Sequence, residues 1–125
     1  MTTMSETGKR VYVCSALRGD VEQNIENAKN YCRYIVKEYG AIPIAPHIYF
    51  TQFLDDEIAE DREFGLSAGL FLLSDCDELW YFGDSITQGM TQEICFALEH
   101  NIPVKYIPKH YYEKFFERSF THDIS

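Results

Sequence analysis

Residues 11–20 read Val11-Tyr12-Val13-Cys14-Ser15-Ala16-Leu17-Arg18-Gly19-Asp20. The first five are a short apolar, β-branched run and predict a strand. Leu17-Arg18-Gly19-Asp20 breaks it. Asp20 suits a helix N-cap, with Gln23 three residues later as its capping-box partner. Val21, Ile25, Ala28, Cys32, Ile35 and Tyr39 then recur at helical spacing, and Gly40 closes the helix as a C′ glycine. A buried strand, a tight loop and a long amphipathic helix open a βαβ unit.

The rest of the chain repeats this alternation. Ala41 to Pro46 reads as a second strand, confined by its two prolines to a sheet edge. His47 to Phe53 reads as an aromatic loop, and Asp55 to about Ser74 as a second helix with Gly65 and Gly69 four apart. Small residues at that spacing permit close helix packing. Leu79-Trp80-Tyr81-Phe82 is apolar throughout, as a central parallel strand should be. Gly83 to Gln88 is a polar loop. Met90, Ile94, Ala97 and Leu98 mark a third helix, Pro103 to Ile107 a fourth strand, and Lys109 to about Phe120 an aromatic helical tail. A βαβαβαβα order implies an α/β protein with a parallel sheet and right-handed crossovers. A continuous apolar first strand and a proline-bearing second give the spatial order 2-1-3-4, with room for a fifth strand. Ligands of such sheets bind beyond the strand carboxyl ends, at the switch point between strands one and three. The loops expected to meet there are 15–20 and 83–88.

The composition narrows the function. The 125 residues are one domain's worth, with residues 1–9 read as a loose tail and 10–125 as the domain. Eleven lysines and arginines against twenty acidic residues give a net charge of −9, which argues against a nucleic-acid polymer as partner. A small nucleotide needs only one local cation or a helix N-terminus. No apolar run spans a bilayer and residues 1–9 have no signal-peptide core, so no membrane association and a cytoplasmic location are expected. Cys14, Cys32, Cys76 and Cys95 form no C-x-x-C pair and read as buried free thiols; with the histidines equally scattered, neither a metal nor a cofactor is expected.

Two loops hold the suspicious polar residues. In the first, Arg18 is placed to clamp a phosphate or carboxylate, Gly19 to let a ligand approach the backbone, and the helix N-terminus to add its dipole. The bland alternative is an Arg18–Asp20 surface pair. In the second, Asp84 follows the strand and Glu93 lies in the early turns of the next helix. Two carboxylates at a cleft are the parts needed for glycosyl chemistry, one as nucleophile and one as proton donor. Tyr12 and Tyr81 lie in adjacent central strands, where a tyrosine is usually core, and His47 follows strand two, where it reads as a loop histidine under aromatic cover or as a ligand contact. The acidic run from Asp55 to Glu63 reads as a solvated helix face with one member free to enter the cleft. Trp80 and the tail aromatics read as core or as a subunit interface, favouring a homodimer or higher homo-oligomer.

Val11 to Asp20 resembles the first strand and loop of the nucleoside 2-deoxyribosyltransferase superfamily, most closely its deoxynucleoside 5′-monophosphate N-glycosidase branch. Cys76 to Asp84, followed by Gly89-Met90 and Glu93-Ile94, resembles that superfamily's second signature, and Ile102-Pro103-Val104 its closing strand. The likeness spans roughly residues 10 to 108 and extends to small bacterial and phage members of the superfamily. It implies a three-layer, Rossmann-like or flavodoxin-like sandwich and a small-molecule nucleoside or nucleotide partner. It also implies roles. Glu93 would attack the anomeric carbon of a 2-deoxyribosyl group, Asp84 would contact the sugar or protonate the leaving base, and Tyr12 would orient the nucleophile. Ser15 and Arg18, with Ser85, would hold a 5′-phosphate. Gly19, Asp20, His47, Gly83, Gly89 and Met90 complete the substrate-binding set. Asp61 and Glu63 are candidates for a further family aspartate. Gly89 precedes Glu93 by four residues, where the family has two. That altered spacing motivates an alternative, a non-catalytic protein that binds or senses a nucleotide-derived ligand.

Overall fold

The computed structural model describes residues 6–116. β1 (Arg10–Cys14), β2 (Ile42–Ile44), β3 (Glu78–Tyr81) and β4 (Val104–Tyr106) form one parallel sheet in the order β2-β1-β3-β4. Tyr12 sits opposite Ile44 on one side and Leu79 on the other. Helices cover both faces, as the alternation of strand side chains requires. Val11, Val13, Trp80 and Phe82 face one way, onto Tyr31, Tyr34 and Ile35 of α1 (Val21–Tyr39). Tyr12, Cys14 and Leu79 face the other, onto Leu73 of α3 (Ala59–Leu73) and Met90 and Ala97 of α4 (Gln88–Glu99).

Local chemistry sets the helix ends. The Asp20 carboxylate accepts the Gln23 N–H at 3.2 Å, and Gly40 ends α1 at φ 65°, a left-handed turn that glycine adopts without strain. The Thr87 hydroxyl accepts the Met90 N–H at 3.2 Å and opens α4.

The region after β2 departs from the sequence reading. The expected aromatic loop contains a short helix, α2 (Pro46–Phe50), because Pro46 takes a first-turn position where its missing N–H costs nothing. α3 starts at Ala59, four residues later than expected, because the acidic segment before it turns on itself. Asp55 accepts the Glu57 N–H, and the Asp55 N–H donates to Asp61, each at 2.9 Å. These short polar side chains bond nearby main chain in competition with a helix.

Of the tail aromatics among the described residues, Tyr112 and Phe115 are core, Phe116 is half-buried and Tyr111 is exposed. Tyr112 and Phe115 are buried against Tyr31, Tyr34 and Phe82, past a 3₁₀ turn at Lys109–Tyr111. The end of the expected tail helix, 117–120, lies outside the described residues. The chain is attached to the fold earlier than expected, since Glu6 is buried and bonded to Lys105. Cys14 and Cys76 are buried free thiols as expected, whereas Cys32 is half-buried and Cys95 exposed. On α3, Phe64, Phe71 and Leu72 are exposed. No helix among the described residues is long and apolar enough to cross a membrane.

Candidate active site

Tyr12 and Glu93 come from opposite sides of one layer. Tyr12 points from central β1 toward the helices, and Glu93 lies one turn inside α4 on its buried face. They meet in a hydrogen bond of 2.6 Å from the Tyr12 hydroxyl to Glu93 Oε2. Glu93 is 6 % exposed, and its other oxygen, Oε1, is buried with no hydrogen-bond partner among the described residues. Burial raises the Glu93 carboxyl from its usual range to about 7, although the hydrogen bond from Tyr12 and the nearby Cys14 thiol pull it down. Burial, reinforced by the Glu93 charge, likewise holds the Tyr12 phenol well above its ordinary value. An unpaired oxygen on a buried carboxylate is unusual enough to require a reason.

Gly69 of α3 lies against this pair. A Cβ added there would stand 3.0 Å from the Tyr12 hydroxyl and 3.9 Å from Glu93 Oε2. The approach expected from the glycine spacing is thus an approach to the Tyr12–Glu93 bond. At Gly65 the same atom would meet nothing within 4 Å.

The pair ends a narrow chamber of about 60 Å³ whose lining includes Leu17, His47, Phe50, Asp56, Asp61, Arg62 and Gly65. The chamber shares Leu17, His47, Asp56, Arg62 and Leu66 with an outer cleft of about 610 Å³. Arg18, Gly19, Thr87, Gln88, Gly89 and Gln92 line that cleft. The His47 imidazole is pushed below its ordinary value by burial, against the pull of the Ser15 main chain and the Asp56 charge. Arg18 pairs with Asp56 at 3.4 Å, not with Asp20, which caps α1. Ser15 is buried with an unpartnered hydroxyl, and the buried Met90 accepts the Cys14 thiol through its carbonyl at 3.8 Å.

Three candidates lie elsewhere. Gly83, Asp84 and Ser85 line a separate hollow of about 210 Å³ with Tyr81, Ile86 and Tyr106. Asp84 is exposed, and its charge acts on Tyr31 and Tyr112, on the α1 side of the sheet. The reason is geometric. Gly83 takes φ 106° two residues after the end of β3 and turns the chain out before Thr87 brings it back to cap α4. The cleft's carboxylates are instead Asp56 and Asp61, from the acidic run, together with Glu93. Glu63 is exposed and lines neither space. Sequence reasoning gave Asp56 only as one member of the acidic run, of which one was free to enter the cleft, and it missed Arg62 as a lining residue. A signal for the second was present: Arg62 is the lone lysine or arginine between Lys37 and Lys105.

The fold and cleft define a doubly wound, flavodoxin-like α/β protein with a buried glutamate–tyrosine pair at the carboxyl end of its sheet. The chain belongs to the family described as Domain of unknown function (DUF7768), whose model matches residues 9–107. A 2-deoxyribosyltransferase from the psychrotolerant bacterium Bacillus psychrosaccharolyticus is similar in structure, with a TM-score of 0.57 at 15 % identity. The match covers 78 % of this chain and 70 % of that one, a likeness of fold. No curated protein matches.

Proposed function

We propose that the chain cleaves or exchanges the N-glycosidic bond of a 2′-deoxynucleoside or its 5′-monophosphate, with Glu93 as nucleophile. The observation that carries this reading is the Tyr12–Glu93 bond. It engages Oε2 and leaves Oε1 without a hydrogen-bond partner among the described residues, on a side chain that lines the chamber. In the first step, Oε1 of ionised Glu93 forms a bond to the anomeric carbon. The carbon–nitrogen bond breaks, and its electron pair leaves with the base. In the second, water gives the free sugar, or a second base gives a new nucleoside; the ester bond to Glu93 breaks in either case. Splitting one displacement into two is the benefit of covalent catalysis. Tyr12 holds Oε2, so that one oxygen is aimed. His47 and Asp61 line the same chamber and are the candidates to give the leaving base its proton. Asp84, which lines a separate hollow, is not part of this reading.

The fold likeness to a 2-deoxyribosyltransferase supports the reaction class. The test is chromatography of a panel of deoxynucleosides and their monophosphates after incubation with pure protein, with Glu93→Ala beside it. Free base from the wild type alone is the expected result, and new base–sugar pairings on adding a second base would mark a transferase. Equal release by Glu93→Ala, or none by the wild type, would overturn the proposal. Binding of a nucleotide without release over hours would instead support the ligand-sensing alternative, which the spacing of Gly89 and Glu93 favours.

A further inference from the structure

We infer that Arg62, not Arg18, seats the phosphate of the substrate and decides between a nucleoside and its monophosphate. This rests on the reading of Glu93 above and names the group that sets its substrate class.

The charged groups of the cleft are engaged, with one exception. Arg18 is committed: Asp56 holds it at 3.4 Å, and the arginine is largely exposed. Asp61 accepts the Asp55 main-chain N–H. Glu93 is engaged by Tyr12. Among the described residues, Arg62 forms no ion pair, although it is half-buried in an acidic stretch of an acidic chain. A half-buried guanidinium without a carboxylate partner is available to an incoming anion, and its planar fork suits a phosphate.

Position supplies the second argument. Arg62 lines both the inner chamber, which ends on Tyr12 and Glu93, and the outer cleft. A ligand whose sugar reaches Glu93 while its phosphate remains outside would pass this side chain. The outer cleft offers neutral hydrogen-bonding groups beside it, on Thr87, Gln88 and Gln92, and Gly89 allows close approach of main chain. Its one other arginine is the neutralised Arg18. Phosphate binding at Arg18 would first have to break the pair with Asp56, whereas binding at Arg62 breaks none.

The experiment compares a deoxynucleoside with its 5′-monophosphate on the wild type, Arg62→Gln, Arg62→Lys and Arg18→Gln. The readout is the ratio of kcat/KM for the two substrates, and in parallel the ratio of their Kd values by calorimetry. Each variant's Tm without ligand serves as the folding control. In the wild type both ratios favour the monophosphate. Arg62→Gln is expected to shrink that preference about tenfold or more, the size of one lost charge-assisted contact. The effect should fall on KM more than on kcat. Arg62→Lys should restore part of it. Arg18→Gln should shrink the preference less than Arg62→Gln does. Equal loss in both arginine variants, retention of the preference in Arg62→Gln, or no preference in the wild type would each overturn the inference. The binding ratio separates this outcome from failure of the glycosidase reading. Monophosphate selection that depends on Arg62, with no base released, would sink the catalysis and leave the phosphate seat standing.

Discussion

At Glu93 the local chemistry works against stability. Its folded-state value of about 7 lies above the ordinary 4.5, so between these values the folded protein keeps a proton that the unfolded chain has lost. Stability then falls as pH rises through that window, and the cost is complete above about 7. The gap corresponds to ~3 kcal/mol, as an order of magnitude. Glu93→Gln keeps the shape and removes the charge. It is expected to raise Tm at pH 8 by several degrees more than at pH 4.5, as thermal melts at both values would read. The same shift at both would show that Glu93 carries no such burden. The proton also gates the proposed chemistry, since only the carboxylate attacks. Base release should therefore rise with pH along a limb centred near 7. Tyr12→Phe removes a hydrogen bond that favours the charged form, so the limb should move to higher pH and the rate at pH 7 should fall. An unmoved limb in a pH–rate profile would mean that Tyr12 does not tune Glu93.

At the scale of elements, α3 shows how one helix can carry two kinds of glycine. A helical glycine costs about 1 kcal/mol relative to alanine. At Gly65 a methyl group meets nothing within 4 Å, so Gly65→Ala should stabilise by roughly that amount. At Gly69 the same methyl stands 3.0 Å from the Tyr12 hydroxyl, which is buried and held by Glu93. Gly69→Ala is therefore expected to forfeit the propensity gain and disturb the Tyr12–Glu93 bond. Denaturant midpoints of the two variants decide this, and equal stabilisation by both would refute it. The sheet order was legible because strand periodicity and the prolines of β2 leave little choice. The Tyr12–Glu93 meeting was legible only as a likeness, since no spacing rule joins residues 81 apart in sequence. Residues 46–58 were misread for local reasons. Pro46 opens a helix as readily as it ends a strand, and side-chain bonds from Asp55 and Asp61 delay α3. Asp84 lines a hollow apart from the Tyr12–Glu93 chamber, because the position after a strand fixes which end of the sheet a residue occupies and not the cavity it joins.

Across the whole molecule, the two ends of the sheet behave differently. At the carboxyl end, Ser15 and Glu93 each keep a buried oxygen with no hydrogen-bond partner among the described residues, whereas at the other end the one such oxygen, Glu6 Oε1, lies 3.3 Å from the Lys9 ammonium. Near the strand starts, a charge cluster ties distant segments together. Glu78, 4 % exposed, accepts Lys9 at 2.7 Å and the Trp80 indole N–H at 2.8 Å, and Lys105 lies 3.2 Å from it. Lys105 in turn donates to Glu6 at 2.8 Å. Burial pushes the Glu78 carboxyl up, but the bonds from Lys9, Trp80 and Lys105 outweigh it and hold it below its ordinary range. The sign is opposite to that at Glu93. A depressed carboxyl contributes stability above its unfolded value, and that contribution is lost as pH falls through the folded one. Both lysines are more than a third exposed, so solvent discounts the cluster below what a fully buried pair would give. Glu78→Ala also leaves the Trp80 indole without its acceptor and takes one carboxylate from two lysines. A loss of about 2 kcal/mol at pH 7 is expected, shrinking as pH falls below 4.5. Urea melts at pH 7 and pH 4 give the comparison, and a loss independent of pH would assign the effect to packing alone. Because the cluster lies away from the cleft, Glu78→Ala should leave the Glu93 titration where it is. A shift in that limb would reveal coupling through β3 between the two ends of the sheet.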